Sequence, residues 1–194
     1  MPEIFVKEFS EIATVETIKK AKVIAKQKNR DGYSPGKDFY KILREHIQAM
    51  HKDGLPLEHI DNALKATTHN VRKKHYAVMI AQYKKWLRKK NVTYFVPPRE
   101  AFQISKTEII TNPELGLNID GTPYVVKLFL NKDKLTKVRA NFMIAIMDSL
   151  WSETTNAVLD VRNEKLFTFT GDRKHYLNAI TAEVASIEVM WPDL

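Results

Sequence analysis

Two residues of this chain have the right types to act on a phosphodiester: Glu114, in Asn112-Pro113-Glu114-Leu115, and Lys127, in Tyr124-Val125-Val126-Lys127. A carboxylate can ligate a divalent cation, and an ammonium beside it can stabilise an attacking water or the scissile phosphate. That chemistry asks for a second carboxylate, and neither of these segments supplies one. Asp120 is the nearest substitute, but the tip of a two-residue turn points it away. The alternative is a plain β-hairpin on which Glu114 and Lys127 are merely solvated.

Other catalytic apparatus is sparse. The chain has no cysteine, which excludes disulfides, thiolate metal sites and cysteine nucleophiles. Its histidines, His46, His51, His59, His69, His75 and His175, form no HExxH. The first two lie five residues apart, and His69 lies six before His75, so neither pair shares a tight helical face. Packed or solvated histidines are expected rather than metal ligands. No glycine-rich phosphate cradle and no nucleophile elbow occurs. The expectation is therefore no metal and no cofactor. Whether the chain is an enzyme stays open, because carboxylates gathered by a fold leave no local signature.

Cations are more prominent. Residues 1–100 carry 21 Lys and Arg against 11 Asp and Glu, whereas residues 101–194 carry 10 against 12. The overall +8 thus belongs to the first half, a distribution suited to phosphate contact through counterion release. On a helical wheel over 70–90, Tyr76, Met79, Ile80, Tyr83 and Leu87 share an apolar face, while Lys74, Ala77, Ala81, Lys84, Lys85 and Arg88 share another. Cations spaced by alanines can lie close to a phosphate backbone. A second group, Lys132, Lys134, Lys137 and Arg139, surrounds a helix start with Asp133 as the expected N-cap. Cations at a helix N-terminus oppose its dipole, a cost acceptable where an anion is held by the same amides, with Lys127 nearby.

The segment Gly54–Tyr76, GLPLEHIDNALKATTHNVRKKHY, resembles a helix-turn-helix. Ile60, Leu64, Ala66 and Val71 would pack the two helices, and Thr67 or Thr68 would cap the second. The resemblance implies nucleic-acid contacts by Arg72, Lys73 and Lys74. Asp61 and Lys65 stand where that pattern has a small residue and a turn glycine. The succession helix 70–90, strands 92–96, 103–117 and 122–130, helix 134–150 and strand 156–162 resembles the core of PD-(D/E)xK nucleases. This resemblance implies Glu114 as the first acid and Lys127 as the motif lysine, with Val125 at the position of the second acid, which is therefore missing.

The elements that must position these residues follow from period and punctuation. Helices are expected over 15–28, 37–52, 57–66 and 70–90, with a glycine- and proline-containing loop at 31–40. Val96-Pro97-Pro98-Arg99 marks a boundary between a basic helical domain, 1–96, and an α+β domain, 97–194. In the second domain, 103–112 and 122–130 are β-rich with Asp120-Gly121 as a hairpin turn between them. An apolar helix covers 133–151, strands cover 156–162 and 165–170, a last helix covers 173–186, and the tail IEVMWPDL reads as an edge strand. The fold class is α+β: a helical part, then a β-hairpin and mixed sheet packed with two helices.

No apolar run reaches membrane-spanning length and the start lacks signal-peptide order, so a cytoplasmic protein is expected. Nucleic acid is the expected partner of a non-catalytic protein. The alternatives are a divergent metal-dependent nuclease and an adaptor that meets a protein partner, or a second copy, through Trp151, Trp191 and the last helix of the C-terminal half.

Overall fold

The first residues pair across a long stretch of sequence. Strand β1 (Glu3–Phe5) runs without a break into helix α1 (Val6–Ile12) and lies parallel to a strand more than a hundred positions away. The computed structural model describes residues 1–30 and 38–194. Helices α2 (Thr17–Lys28) and α3 (Lys41–Lys52) come next, and residues 31–37 of the loop between them lie outside the described residues. A 3-10 turn (Leu57–Asp61) leads into the single turn α4 (Asn62–Lys65), and α5 (Asn70–Leu87) completes the helical part.

The strands follow as β2 (Val92–Phe95), β3 (Glu100–Ile104), β4 (Thr107–Thr111), β5 (Leu115–Ile119) and β6 (Thr122–Phe129). Helix α6 (Lys137–Leu150) then crosses to β7 (Thr155–Asp160), β8 (Lys165–Thr168) and α7 (Arg173–Met190). They form two mixed sheets, β1-β4-β3 and β2-β5-β6-β7-β8, and the fold class is α+β as expected. In the larger sheet only β6 and β7 are parallel, as a helical crossover permits; the other pairs are antiparallel.

The stretch 103–117 is not one strand. A turn at Ser105, whose φ is +52°, reverses β3 into β4. Asn112-Pro113 then carries the chain into the other sheet, since proline has no N–H with which to continue a ladder. The Asp120-Gly121 turn, with φ of +50° and +88°, therefore joins β6 to β5 rather than to 103–112. The tail is not an edge strand either: α7 continues to Met190 and ends in a 3-10 turn, Trp191–Asp193, to which the Lys28 ammonium bonds.

Alternation along β6 divides the interior. Val126 and Leu128 face α3 and α5, joining Leu43, Ile47, Tyr76, Met79 and Tyr83. Phe129 joins the opposite cluster, with Ile4 and Phe9 from the N-terminus, Met143 and Ile144 of α6, and Ile180 and Val184 of α7. Both cores take side chains from before and after residue 96. Trp151 is buried against Val125 and Met147, and Trp191 packs on the second cluster, so both are engaged internally. Among the described residues no helix is long and apolar enough to cross a membrane.

Candidate functional site

Glu114 and Lys127 are brought together, but not as a solvated pair. Each is 7% exposed. Glu114 sits one residue before β5 and Lys127 late on β6; because the strands are antiparallel, these positions meet at one end of the hairpin. The Lys127 Nζ donates to Glu114 Oε1 (2.7 Å), Asn112 Oδ1 (2.9 Å) and Asn112 O (3.0 Å). Those bonds use all three ammonium protons. Glu114 Oε2 accepts from the Leu128 backbone (2.7 Å), and its carbonyl accepts from Gln48 (3.0 Å). Val125, at the position of the missing acid, packs into the apolar cluster of Met147 and Trp151. Asp120 lies at the far end of β5, where its side chain accepts from the Asn91 N–H. Among the described residues no group of three His, Asp or Glu could hold a metal ion.

Helix α5 buries Tyr76, Met79, Ile80 and Tyr83 as its period requires. Its cationic face is interrupted. Lys84 pairs with Asp61 (2.7 Å) and Lys85 with Glu164 (2.9 Å), so among the described residues charge remains uncompensated mainly toward the two ends, at Lys73 and Lys74 and at Arg88. Within the helix-turn-helix-like segment, the N-cap is His69, whose Nδ1 accepts from Arg72 N, rather than Thr67 or Thr68; the Thr67 hydroxyl accepts from His69 N instead. Lys65 ends α4, and Asp61 is occupied by Lys84. The Arg72 guanidinium lies 5.6 Å over the Phe39 ring.

The loop before α6 also differs from expectation. Thr136, not Asp133, caps the helix, its hydroxyl accepting from Arg139 N (3.2 Å). Arg139 does not join the anion cluster. It turns inward, 15% exposed, pairing with Glu11 (3.3 Å), bonding Ser10 Oγ and lying over Phe129. An arginine stem covers apolar surface readily while its head finds a carboxylate. Lys127 is likewise buried and takes no part. Lys132, Lys134 and Lys137 are exposed and make no ion pair among the described residues.

Two residues missed by sequence reasoning organise this end of the sheet. Asp160, fully buried at the carboxyl end of β7, accepts from Leu135 N (3.0 Å), Asn163 N (3.2 Å) and Asn163 Nδ2 (2.9 Å), tying the 130–136 loop to the turn after β7. Arg162, in that turn, has a buried Nη1 with no hydrogen-bond partner among the described residues. Burial pushes the Tyr40 hydroxyl up; Arg162 pulls it down and Asp133 pushes it up, so both charges act on the same phenol. Tyr40 stacks on Tyr76 (6.3 Å), and Phe39 meets Tyr40 (4.8 Å) and His75 (5.4 Å), whose buried Nδ1 also has no partner among the described residues. The start of α5, the loop before α6 and Arg162 thus converge on one aromatic cluster beyond the carboxyl ends of the two parallel strands.

The histidines pair in ways that spacing does not reveal. His46 Nδ1 lies 3.2 Å from His59 Nε2, and His51 Nε2 lies 2.6 Å from the Tyr83 hydroxyl. Burial holds His51 down at about 4 and pushes Tyr83 up. No family model, no curated protein and no solved structure matches the chain.

Proposed function

We propose that this protein associates with nucleic acid without catalysis, holding phosphates beyond the carboxyl ends of β6 and β7. The contacts are Lys132, Lys134 and Lys137 on one side, Lys73 and Lys74 on the other, and Arg162 between them. The observation that carries the reading is the set of exposed lysines, Lys73, Lys74, Lys132, Lys134 and Lys137, none of which makes an ion pair among the described residues, on either side of Arg162 and Tyr40. Lysine and arginine heads bond phosphate oxygens through charge-assisted hydrogen bonds and displace counterions in doing so. The half-buried rings of Phe39 and Tyr40 add a surface on which a base can stack. The reading is preferred to a nuclease centred on Glu114 and Lys127 because all three protons of the Lys127 ammonium are engaged.

The test is fluorescence anisotropy with labelled single-stranded and duplex oligonucleotides across a salt series. The expected result is salt-dependent binding whose log–log slope falls by about 2–3 in Lys132→Ala/Lys134→Ala/Lys137→Ala, at ~0.7–0.9 per phosphate contact. Lys84→Ala leaves the slope unchanged, because that ammonium is held by Asp61. An unaltered slope in the triple variant, or no salt-dependent binding to either oligonucleotide, refutes the proposal.

A further inference from the structure

Helix α3 and the 3-10 turn Leu57–Asp61 each carry a histidine where they pack on one another. His46 follows Leu43 by three residues and precedes Ile47, both fully buried, and His59 precedes Ile60, buried in the same apolar cluster. The core therefore fixes the backbone under both rings, which are half-buried at its edge. His46 Nδ1 lies 3.2 Å from His59 Nε2, with ring centroids 5.1 Å apart and planes inclined at 55°. Neither ring shares a helix face with the other; only the packing of the turn on α3 makes them a pair.

Two nitrogens bound to one ion at ~2.0–2.1 Å, at angles between square and tetrahedral, stand about 2.9–3.4 Å apart. The pair is already at that separation, so little ordering is left for a ligand to impose. At present one ring donates to the other, a bond of small net worth. Its proton can pass to the far nitrogen of the same ring, so a cation entering between two neutral rings releases no net proton. Burial and the neighbouring His59 hold the His46 ring below its ordinary value, against the pull of Glu45, which leaves its lone pair available at neutral pH. The same Glu45 carboxylate adds a negative charge that favours a cation. Magnesium and calcium seek several oxygens, whereas imidazole suits zinc, copper and nickel. We infer that His46 Nδ1 and His59 Nε2 together bind a divalent transition-metal ion of the zinc, copper and nickel class. Water completes its shell, since no third His, Asp or Glu joins the pair among the described residues. The bound ion ties α3 to the turn whose Asp61 holds Lys84.

The test is calorimetric titration of the full chain at neutral pH with zinc, copper(II) and magnesium chlorides. Zinc is expected to saturate at one equivalent on this pair and copper(II) to bind more tightly, while magnesium does not bind there. Long-range ¹H–¹⁵N spectra of the imidazoles identify the ligand atoms in the unsubstituted chain: zinc moves the His46 Nδ1 and His59 Nε2 signals and leaves those of His51 and His175 in place. His46→Gln and His59→Gln each weaken zinc by at least the ~10–100-fold that even an outer-shell partner is worth. His175→Gln, at an exposed position of α7, leaves the affinity unchanged. Zinc raises the melting temperature of the unsubstituted chain and of neither His46→Gln nor His59→Gln. The inference is overturned by the absence of saturable zinc binding, by zinc shifts confined to other histidines, by magnesium binding as tightly as zinc, or by zinc affinity retained in both variants.

Discussion

Removing the ammonium of Lys127 tests whether the pair it forms with Glu114 is structural. In Lys127→Met the apolar stem is kept, but Glu114 Oε1, Asn112 Oδ1 and Asn112 O all lose their donor in a place where both residues are 7% exposed. Breaking a buried pair from one side costs about 3–5 kcal/mol, because a charge is left in low dielectric without compensation. Against a total stability of about 5–15 kcal/mol, this is a large fraction of what holds the fold together. At about 2–4 °C per kcal/mol for a chain of this size, the melting temperature falls by roughly 6–20 °C. The companion Glu114→Gln keeps an acceptor for Lys127 and removes only the charge. In the double variant no buried charge remains, so its cost is smaller than the sum of the singles by about 1–3 kcal/mol. Urea unfolding followed by circular dichroism reads all three. A Lys127→Met cost under about 1 kcal/mol, the range of exposed pairs, together with an additive double variant, would refute the reasoning. The two side chains would then be behaving as if solvated, and Lys127 would be free to meet a water or a phosphate.

The remaining predictions concern titration and capping. His51 is held down at about 4 by burial, so between that value and its ordinary 6.5 the unfolded chain binds the extra proton. Its contribution is present above the ordinary value and is lost as pH falls through the window, a difference of up to about 3 kcal/mol. His51→Gln, which keeps a partner for Tyr83, is expected to flatten the fall in urea midpoint between those pH values, and an unchanged slope excludes His51 as the group. Thr136→Ala is expected to destabilise by about 1 kcal/mol, the usual worth of an N-cap, whereas Asp133→Ala leaves the unfolding midpoint within error. Equal effects would mean that the two share the cap.

Much of the fold could be read from local pattern, because the responsible forces are local. Asp120-Gly121 specifies a tight turn by backbone preference, and the 3.6-residue apolar period of α5 and the apolar run of α6 specify buried helices. Strand β1 escaped because three residues running straight into a helix carry no period, and their partner β4 is remote in sequence. The split of 103–117 was signalled by Pro113, but a proline says where a ladder stops and not which sheet the chain enters next. Capping is ambiguous for a related reason: Asp133 and Thr136 are both good N-cap types, and the difference lies in the loop geometry set by Asp160 on another strand. Arg162 and Tyr40 have ordinary neighbours in sequence. Only the meeting of the β7 turn with the start of α3 makes an orphan guanidinium beside a phenol.

Charge is where sequence and fold part most clearly. The count assigns the positive field to the first half of the chain, yet the fold spends cations of one half on acids of the other. Lys20 pairs with Glu183 (2.6 Å), Lys85 with Glu164 and Arg139 with Glu11. A basic face drawn on a helical wheel treats every lysine as free; two of those on α5 are not. Opposite charges in contact cancel at distances beyond a Debye length of about 8–10 Å, so they add little to the field a polyanion meets. What it meets is the set of cations left unpaired. Among the described residues, those near the aromatic cluster are Lys73 and Lys74 at the start of α5 and Lys132, Lys134 and Lys137 on the crossover from β6 to β7, drawn from both halves. Topology, by placing uncompensated charge there, would favour a phosphate ligand at that spot even if the net charge of the chain were nearer zero.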